Sequence, residues 1–511
     1  MTTPTNSWTD LESKCGLVVP SSNSNNHENE EQCSTNKERP TTIKLDYVPS
    51  RLQLEEFSKA EQSKPLQTKE GILSISTDKA SPVPWLVRDA EGVDPYAQQV
   101  WLALELKTTN YCTILVSCDL NKNDDIDNNM SSSRSHQLPQ LFWPPEDNPN
   151  TNTNSSEEEE NENETLQNHR QFQNYLVGKE QTLDMLESIQ ERYSSSSSHH
   201  DDGPDLYRRI SECVDNVRCN IVRFQSIVPR NTLFLPHVPY QFIVTNKNDP
   251  IISLVTSNNH MVTLEETDEV LEEYDEGPWF CGDFVSAADV VWAPFLERYA
   301  AQLPSLWTGD EHDPRHPKEY PAIVAWFRAM ECHVPCYSCR VAGDATTWSR
   351  QLQTTLATDP RFSHIPQPPK QTQQNPRLHS ISKPRNLWNQ YTQNRPWLAP
   401  TPEAECVAFF VRHRTAILEE ALEQTKQMTE DEADVAFRHV LEQLLLVSEN
   451  DDDDVKHDMD HVSIMVFSLS EHAKEMLHFL DQRLQVPRDM GMLPASTLRS
   501  FAAALPKPSI S

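Results

Sequence analysis

The sequence predicts an α/β half followed by an all-α half, with a disordered leader before them and an additional helical tail after them. Three observations predict this order. A strand–helix–strand phrase begins at Pro84, in "PWLVRDAEGVDPYAQQVWLALELK" and "YCTILV". Helical patterning then runs almost unbroken from Leu206 to Met330. Around these segments lie polar stretches too poor in apolar residues to bury a core.

Residues 1–79 are rich in Ser, Asn, Glu and Lys and show no sustained period, the mark of a disordered leader. The α/β half, 80–194, opens with two short apolar strands flanking a helix on which Ala97, Val100, Trp101 and Leu104 recur at helical spacing. A strand, a helix and a strand with tight connections form a parallel pair. The polar insert "NKNDDIDNNMSSSRSHQ" follows, then "LPQLFW", a longer acidic insert, "NYLVGK" and the helical "QTLDMLESIQERY". Both inserts fall between elements, where added length costs little. A polyserine run, Ser194–Ser198, leads to a helical domain over 203–350, and a Pro/Gln-rich linker over 351–400 leads to the helical tail, 401–511. In the tail Thr429 and Glu432 are spaced as a capping box, and Leu441, Leu444 and Leu445 give an apolar face. Helices this short draw stability from packing. The polar linker "QPPKQTQQNP" leads us to expect a bundle that folds by itself and can be removed from the core.

Composition narrows the function. Of 511 residues, 37% are hydrophobic and only 10 are glycine, and the formal charge is −33. Such acidity argues against nucleic acid or anionic membrane surfaces as partners. The runs "SSEEEENENE" and "ENDDDD" read as solvated segments. The start, "MTTPTNSWTDLESKCGLVVPSS", has no basic segment followed by an apolar core, and no stretch approaches the ~20 apolar residues of a membrane span. With eleven cysteines and no leader, a cytoplasmic setting with reduced thiols is expected.

The most specific phrase is "DFVSAADVVWAPFLERYAAQLP". Ser286 and Asp289 are spaced as a capping box, Ser286 accepting from the Asp289 N–H and Asp289 reaching back to the Ser286 N–H, with Val285 and Val290 as a staple. These residues are a structural cap. Preceded by "GPWFCGD" and followed by "YPAIVAWFRAM", the phrase resembles the helical C-terminal domain of the glutathione S-transferase superfamily. "VPWLVRDAEGVDPYAQQVWLALELK" resembles the thioredoxin-like half of its cysteine-type branch, the omega and lambda classes, with the pattern C-P-[FY]-[AC]-Q-R-V-W. The resemblance covers residues 80–118, 137–143, 175–193 and 204–348. It implies a mixed four-stranded sheet packed on a helical half, glutathione in the cleft between them, and a small hydrophobic electrophile as second substrate. It also allows a homodimer.

The resemblance puts Asp94 where the family has its cysteine. A thioredoxin-like site stabilises a thiolate at a helix N-terminus, through unpaired N–H groups and the macrodipole. Asp94 followed by Pro95 is a preferred helix start. A carboxylate cannot exchange disulfides, and beside a glutathione thiolate it would raise the thiol pKa. Asp94 therefore reads as a cap, with a general acid–base role as the alternative. The other carried-over glutathione contacts are Tyr96, Leu138 and Pro139 (the pre-proline and cis-proline pair), and Gln181 and Thr182 in place of Glu-Ser. Gln99 stands where the pattern has Arg. Tyr207 and Arg208 are candidate walls of the second-substrate pocket.

"Cys332-His-Val-Pro-Cys336-Tyr-Ser-Cys339" has a cluster-like C-x3-C-x2-C spacing with His333 adjacent. It ends a helix in the all-α half, with no βα alternation and no glycine-rich loop nearby, so it reads as plain thiols and no metal is expected. His413 and His439 read as surface or packing residues. The functional expectation is a glutathione transferase, acting on alkyl or aryl groups if active and doubtful as a thiol transferase. The alternative is a catalytically degenerate binding module on the same fold.

Overall fold

The computed structural model describes residues 6–17, 84–89, 92–107, 111–116, 139–143, 175–177, 181–193, 206, 217, 219–223, 259–274, 277–306, 310–358, 384–393, 395, 397–425, 428–449 and 465–505. In chain order the elements are α1 (Trp8–Lys14), β1 (Trp85–Asp89), α2 (Pro95–Leu106), β2 (Cys112–Val116), β3 (Gln140–Phe142), β4 (Tyr175–Val177) and α3 (Thr182–Tyr193). They continue with α4 (Asn259–Glu272), α5 (Ala287–Leu306), α6 (Pro321–His333), α7 (Ala345–Thr358), α8 (Pro384–Thr392) and α9 (Pro402–Arg412). The last are α10 (Arg414–Thr425), α11 (Glu430–Glu449), α12 (Glu471–Arg483) and α13 (Met492–Ala503). The chain forms two compact units, one of Thr42–Trp326 and Gln351–Gln367, the other of Met1–Thr41, Phe327–Arg350 and Pro368–Ser511.

In the first unit the four strands form one sheet in the order β2-β1-β3-β4. The predicted parallel pair is present, with Trp85 opposite Cys112 and Asp89 opposite Val116. Strand β3 runs antiparallel to both β1 and β4. This is the mixed four-stranded arrangement that the resemblance implied. Helix α2 packs on β1, α3 and α5. Its apolar positions are buried as the periodicity predicts, yet Gln98, Gln99 and Glu105 are buried as well. Glu105 is satisfied locally: it accepts from the Tyr111 hydroxyl at 2.7 Å, which accepts in turn from Trp101 Nε1 at 2.6 Å. The Arg88 guanidinium lies 4.2 Å from the Trp101 ring centre.

Between α4 and α5 lies a turn that needs its glycines. Gly282 sits at φ 90°, and a Cβ on Gly277 would lie 2.3 Å from the Gly282 carbonyl oxygen. The turn leads into α5, whose predicted cap is present with one correction. Asp289 Oδ2 accepts from the Ser286 N–H and hydroxyl, each at 2.8 Å, but Ser286 Oγ accepts from the Ala288 N–H at 3.2 Å and not from that of Asp289. Asp289 Oδ1 is taken by Phe280 N–H at 3.1 Å and Trp326 Nε1 at 2.9 Å, so the box also ties the turn and α6 to α5. Asp268 of α4 caps α6 from outside, accepting from the Ile323 N–H at 2.8 Å.

The second unit departs from the expected boundaries at three places. Residues 8–14, inside the expected disordered leader, form a helix capped by a Ser7–Asp10 box. The expected linker contributes α8, whose buried Trp388 donates to the Ala399 carbonyl at 3.0 Å. The tail helices share their core with 327–350, the end of the expected helical domain. An ionic knot explains that sharing. Arg499 of α13 donates to Asp344 at 2.8 Å and Asp481 at 2.7 Å, and Arg350 donates to Asp481 at 2.6 Å. Arg499 and Asp344 are both buried, and Arg499 holds the Asp344 carboxyl below the usual carboxylate range despite its burial. Thr347 Oγ1 accepts from the Val486 N–H at 3.0 Å. Gly491 packs so tightly that a Cβ there would meet the Cys339 carbonyl oxygen at 1.8 Å. Periodicity shows none of this, because a charged residue on a helix reads as solvent-facing. The Thr429–Glu432 box is present as predicted, and Leu441, Leu444 and Leu445 are buried.

Three outcomes follow. Arg499→Met leaves the buried Asp344 carboxylate without its cation, while Arg350 still holds Asp481, and should cost about 3–5 kcal/mol in denaturant unfolding. Removing the exposed Lys474–Glu471 pair should leave the midpoint unchanged. Residues 80–350 expressed alone should be insoluble or melt well below the full chain, because 327–350 lose the helices that bury them.

Candidate functional site

The sequence places its candidate chemistry at the start of α2, and the local structure there is built by two aspartates. Asp89 ends β1 and accepts from the Val93 N–H at 2.6 Å and the Asp94 N–H at 3.3 Å, and Gly92 before them stands at φ 68°. Asp94 then caps α2, its Oδ1 accepting from the N–H groups of Tyr96 at 2.8 Å and Ala97 at 3.2 Å, with Pro95 at the first helical position. The cap reading of Asp94 is what the geometry contains. Burial, and after it the Asp89 carboxylate, push the Asp94 carboxyl up to about 7, against the opposing pull of the two N–H groups and Arg298. The group therefore changes charge near neutrality, unlike an ordinary surface aspartate.

A buried polar cluster holds this turn on α5. Arg298 donates to the Val93 carbonyl at 2.9 Å and to Gln98 Oε1 at 2.9 Å. Glu297 accepts from Gln98 Nε2 at 2.7 Å. Gln99, which stands at the family's Arg position, donates to the Val291 carbonyl at 2.7 Å and so works as a helix-to-helix tie. The Tyr96 ring packs edge-on against Phe295, with centres 5.8 Å apart, and burial raises its hydroxyl pKa. Asp89, Gln98, Glu297 and Arg298 are the residues that sequence reasoning missed. The available signal was a charged pair, Glu297–Arg298, inside the apolar run "VVWAPFLERYAAQL".

The other predicted positions divide. Pro139 is buried just before β3, whereas Leu138 lies outside the described residues, and with it the peptide bond between them. Gln181 is exposed at the start of α3, and Thr182 beside it is buried. Tyr207 and Arg208 lie outside the described residues. Their neighbour Leu206 is placed, its N–H donating to Gln190 at 2.9 Å and its carbonyl accepting from Ala287 at 2.9 Å.

Cys336 and Cys339 are buried and Cys332 is half-buried, and none of the three is in a disulfide. Among the described residues no group of three or more His, Cys, Asp or Glu side chains is arranged to hold a metal ion. His413 packs its ring against Phe409 at 5.2 Å, and burial with Arg412 and Arg483 nearby drives its pKa down to about 3. His439 is also buried. No described helix is long and apolar enough to cross a membrane.

If Asp94 titrates near neutrality, replacing it with the neutral isostere changes a pH slope without removing the cap. A carboxyl whose folded pKa is raised binds more protons folded than unfolded, so its contribution to stability falls as pH rises between the two values. The melting temperature of Asp94→Asn should therefore gain on the wild type from pH 4 to pH 7. Ser286→Ala should cost about 0.5–2 kcal/mol by loss of the cap, read from urea midpoints.

Against known proteins, residues 256–329 match the family model described as "Glutathione S-transferase, C-terminal domain". No curated protein matches the sequence. Among solved structures, a trimeric glutathione transferase of Leishmania is 15% identical with a TM-score of 0.33, over 54% of this chain and 49% of that one. This chain thus spans about half the length of that relative. Glutathione transferase Omega 3C of Trametes versicolor is 14% identical with a TM-score of 0.31, over 50% of this chain and 83% of that one. Glutathione transferase F7 of Populus trichocarpa is 13% identical with a TM-score of 0.29, over 55% of this chain and 97% of that one. Residues 256–329 are therefore similar to a glutathione S-transferase C-terminal domain, and the mixed sheet before them fits the thioredoxin-like half of such a fold.

Proposed function

We propose that this chain is a glutathione S-transferase-like protein of the cysteine-type branch. It binds glutathione at the N-terminal end of α2 and does not exchange disulfides there. The observation that carries this reading is the double donation of Tyr96 and Ala97 N–H groups to Asp94 Oδ1. Those N–H groups are the ones a sulfur at that place would use, and they converge on a carboxylate. The C-terminal domain match and the sheet order support the family. Pro139 before β3 and Gln181-Thr182 at the start of α3 support a retained peptide-binding edge. Gln181 keeps hydrogen-bonding capacity for a γ-glutamyl group but not the charge that would pair with its ammonium.

A second reading rests on the same carboxylate. With no thiol and with the helix end already satisfied, the fold serves as a catalytically silent binding module. The two readings part on substrate turnover, which the first includes and which the second replaces by ligand or protein binding alone. A small hydrophobic electrophile is the expected second substrate, and assembly into a homodimer is expected from the family.

Calorimetric titration of glutathione into the full chain tests the binding claim directly. Binding should weaken as pH rises through about 7, where Asp94 gains its charge, and Asp94→Asn should remove that dependence. Absence of heat at any pH sinks the reading. Asp94→Cys, treated with oxidised glutathione, should form a mixed disulfide: the new thiolate attacks the S–S bond and one glutathione thiolate leaves. The wild type should form none at this position, and conjugation of an aryl halide would decide between enzyme and silent module.

A further inference from the structure

We propose that residues 6–17 are a docking peptide, and that the face of α9, α10 and α11 receiving it is a recognition groove held by that peptide in cis and open to exchange. The anchors lie on one side of a helix: Trp8, Leu11 and Cys15 are spaced three and four apart, and Leu11 and Cys15 are buried at 0% and 2% exposure. The Trp8 ring meets Phe437 edge-on with centres 5.5 Å apart, and the Arg414 guanidinium lies 5.3 Å from the Trp8 ring centre. This is helix-in-groove recognition, in which a few apolar anchors fill a surface between helices.

Polar contacts fix the direction in which the peptide lies. Trp8 Nε1 donates to Asp434 at 2.7 Å, and Asn6 Nδ2 donates to Glu442 at 2.9 Å. Arg438 donates to the Asn6 carbonyl at 3.2 Å, and Arg414 donates to Glu12 at 2.6 Å. The groove thus offers acidic acceptors to the peptide's first turn and a cation to its second.

Two features make the pairing separable from the fold of its unit. The peptide carries its own helix start, Ser7 and Asp10 exchanging hydrogen bonds at 2.7–3.2 Å. Residues 18–83, which link it to β1, have the composition of a segment without a core. A helix of seven residues does not persist alone in water, so the peptide folds as it binds and part of the contact energy goes into ordering it. Because the peptide belongs to the same chain, it meets the groove at an effective concentration set by its covalent tether and not by the protein concentration. The occupant is therefore the chain's own peptide, and the same segment of a second copy becomes a competitor only at high protein concentration.

The test uses the full chain with a specific protease sequence inserted between Pro40 and Thr41. After cleavage the fragment ending at Pro40 should stay with the remainder on gel filtration and leave when excess synthetic peptide of residues 5–18 is added. Stripped protein should keep its melting transition and bind labelled peptide saturably. Trp8→Ala should weaken that peptide at least tenfold. Glu12→Arg should weaken it several-fold on the wild-type groove and recover most of the loss on Arg414→Glu protein. The proposal is overturned if the fragment leaves without saturable rebinding, if it cannot be displaced before the protein unfolds, if the stripped protein itself unfolds, or if the reversed charge pair shows no recovery.

Discussion

Arg298 is buried with no exposed surface, and the candidate site depends on how its charge is satisfied. A buried guanidinium is costly unless hydrogen-bonded on several sides. Here the partners include the Val93 and Pro294 carbonyls, Gln98 and the neighbouring Glu297. Val93 is the residue before Asp94, so the interaction that neutralises a charge inside α5 also sets where α2 begins. Gln98 accepts from Arg298 and donates to Glu297, which explains why a helix facing another helix carries an amide at its centre. Loss of any member would strand the others, and the first consequence would appear as a shift of the α2 N-terminus.

That terminus holds a carboxyl in a place suited to stabilising negative charge, and the result is counterintuitive. The helix end and its two N–H groups favour the anion, yet burial and Asp89 outweigh them and raise the proton affinity. A second negative group brought there, such as a glutathione thiolate, would meet Asp94 in its neutral form below about pH 7 and as an anion above it. A protein thiol in the same place would receive the two N–H groups, and it would also meet the burial and the Asp89 carboxylate that raise proton affinity there.

The apolar half of this architecture was legible in the sequence. Strand pairing, the α2 helix, the Asp94 cap and the Ser286–Asp289 box follow from spacing and from residue types with few alternative uses. What stayed hidden was polar burial. Gln98, Gln99, Glu297 and Arg298 look like surface residues to any periodicity argument, and only their mutual contacts make them core. The Ala288 N–H taking the place of the Asp289 N–H at Ser286 is a finer miss, since spacing fixes the residues of a box but not which donor a short hydroxyl reaches. Residues 8–14 were lost for a third reason: about two turns of helix are too few for a period to emerge from polar surroundings.

The division of the chain carries the same lesson at larger scale. The expected boundary at residue 350 followed the resemblance, which tracks sequence descent along the chain. Compactness follows burial instead. Asp344 and Thr347, within "GDATTW", have their partners on Arg499 and Val486, more than a hundred residues later. Gly491 exists as glycine because the Cys339 carbonyl occupies the space of its Cβ. A segment can therefore resemble one domain in sequence while its side chains are satisfied only by another stretch. The tail is on this evidence a structural completion of residues 327–350, and its helices α9, α10 and α11 are in turn covered by the N-terminal peptide.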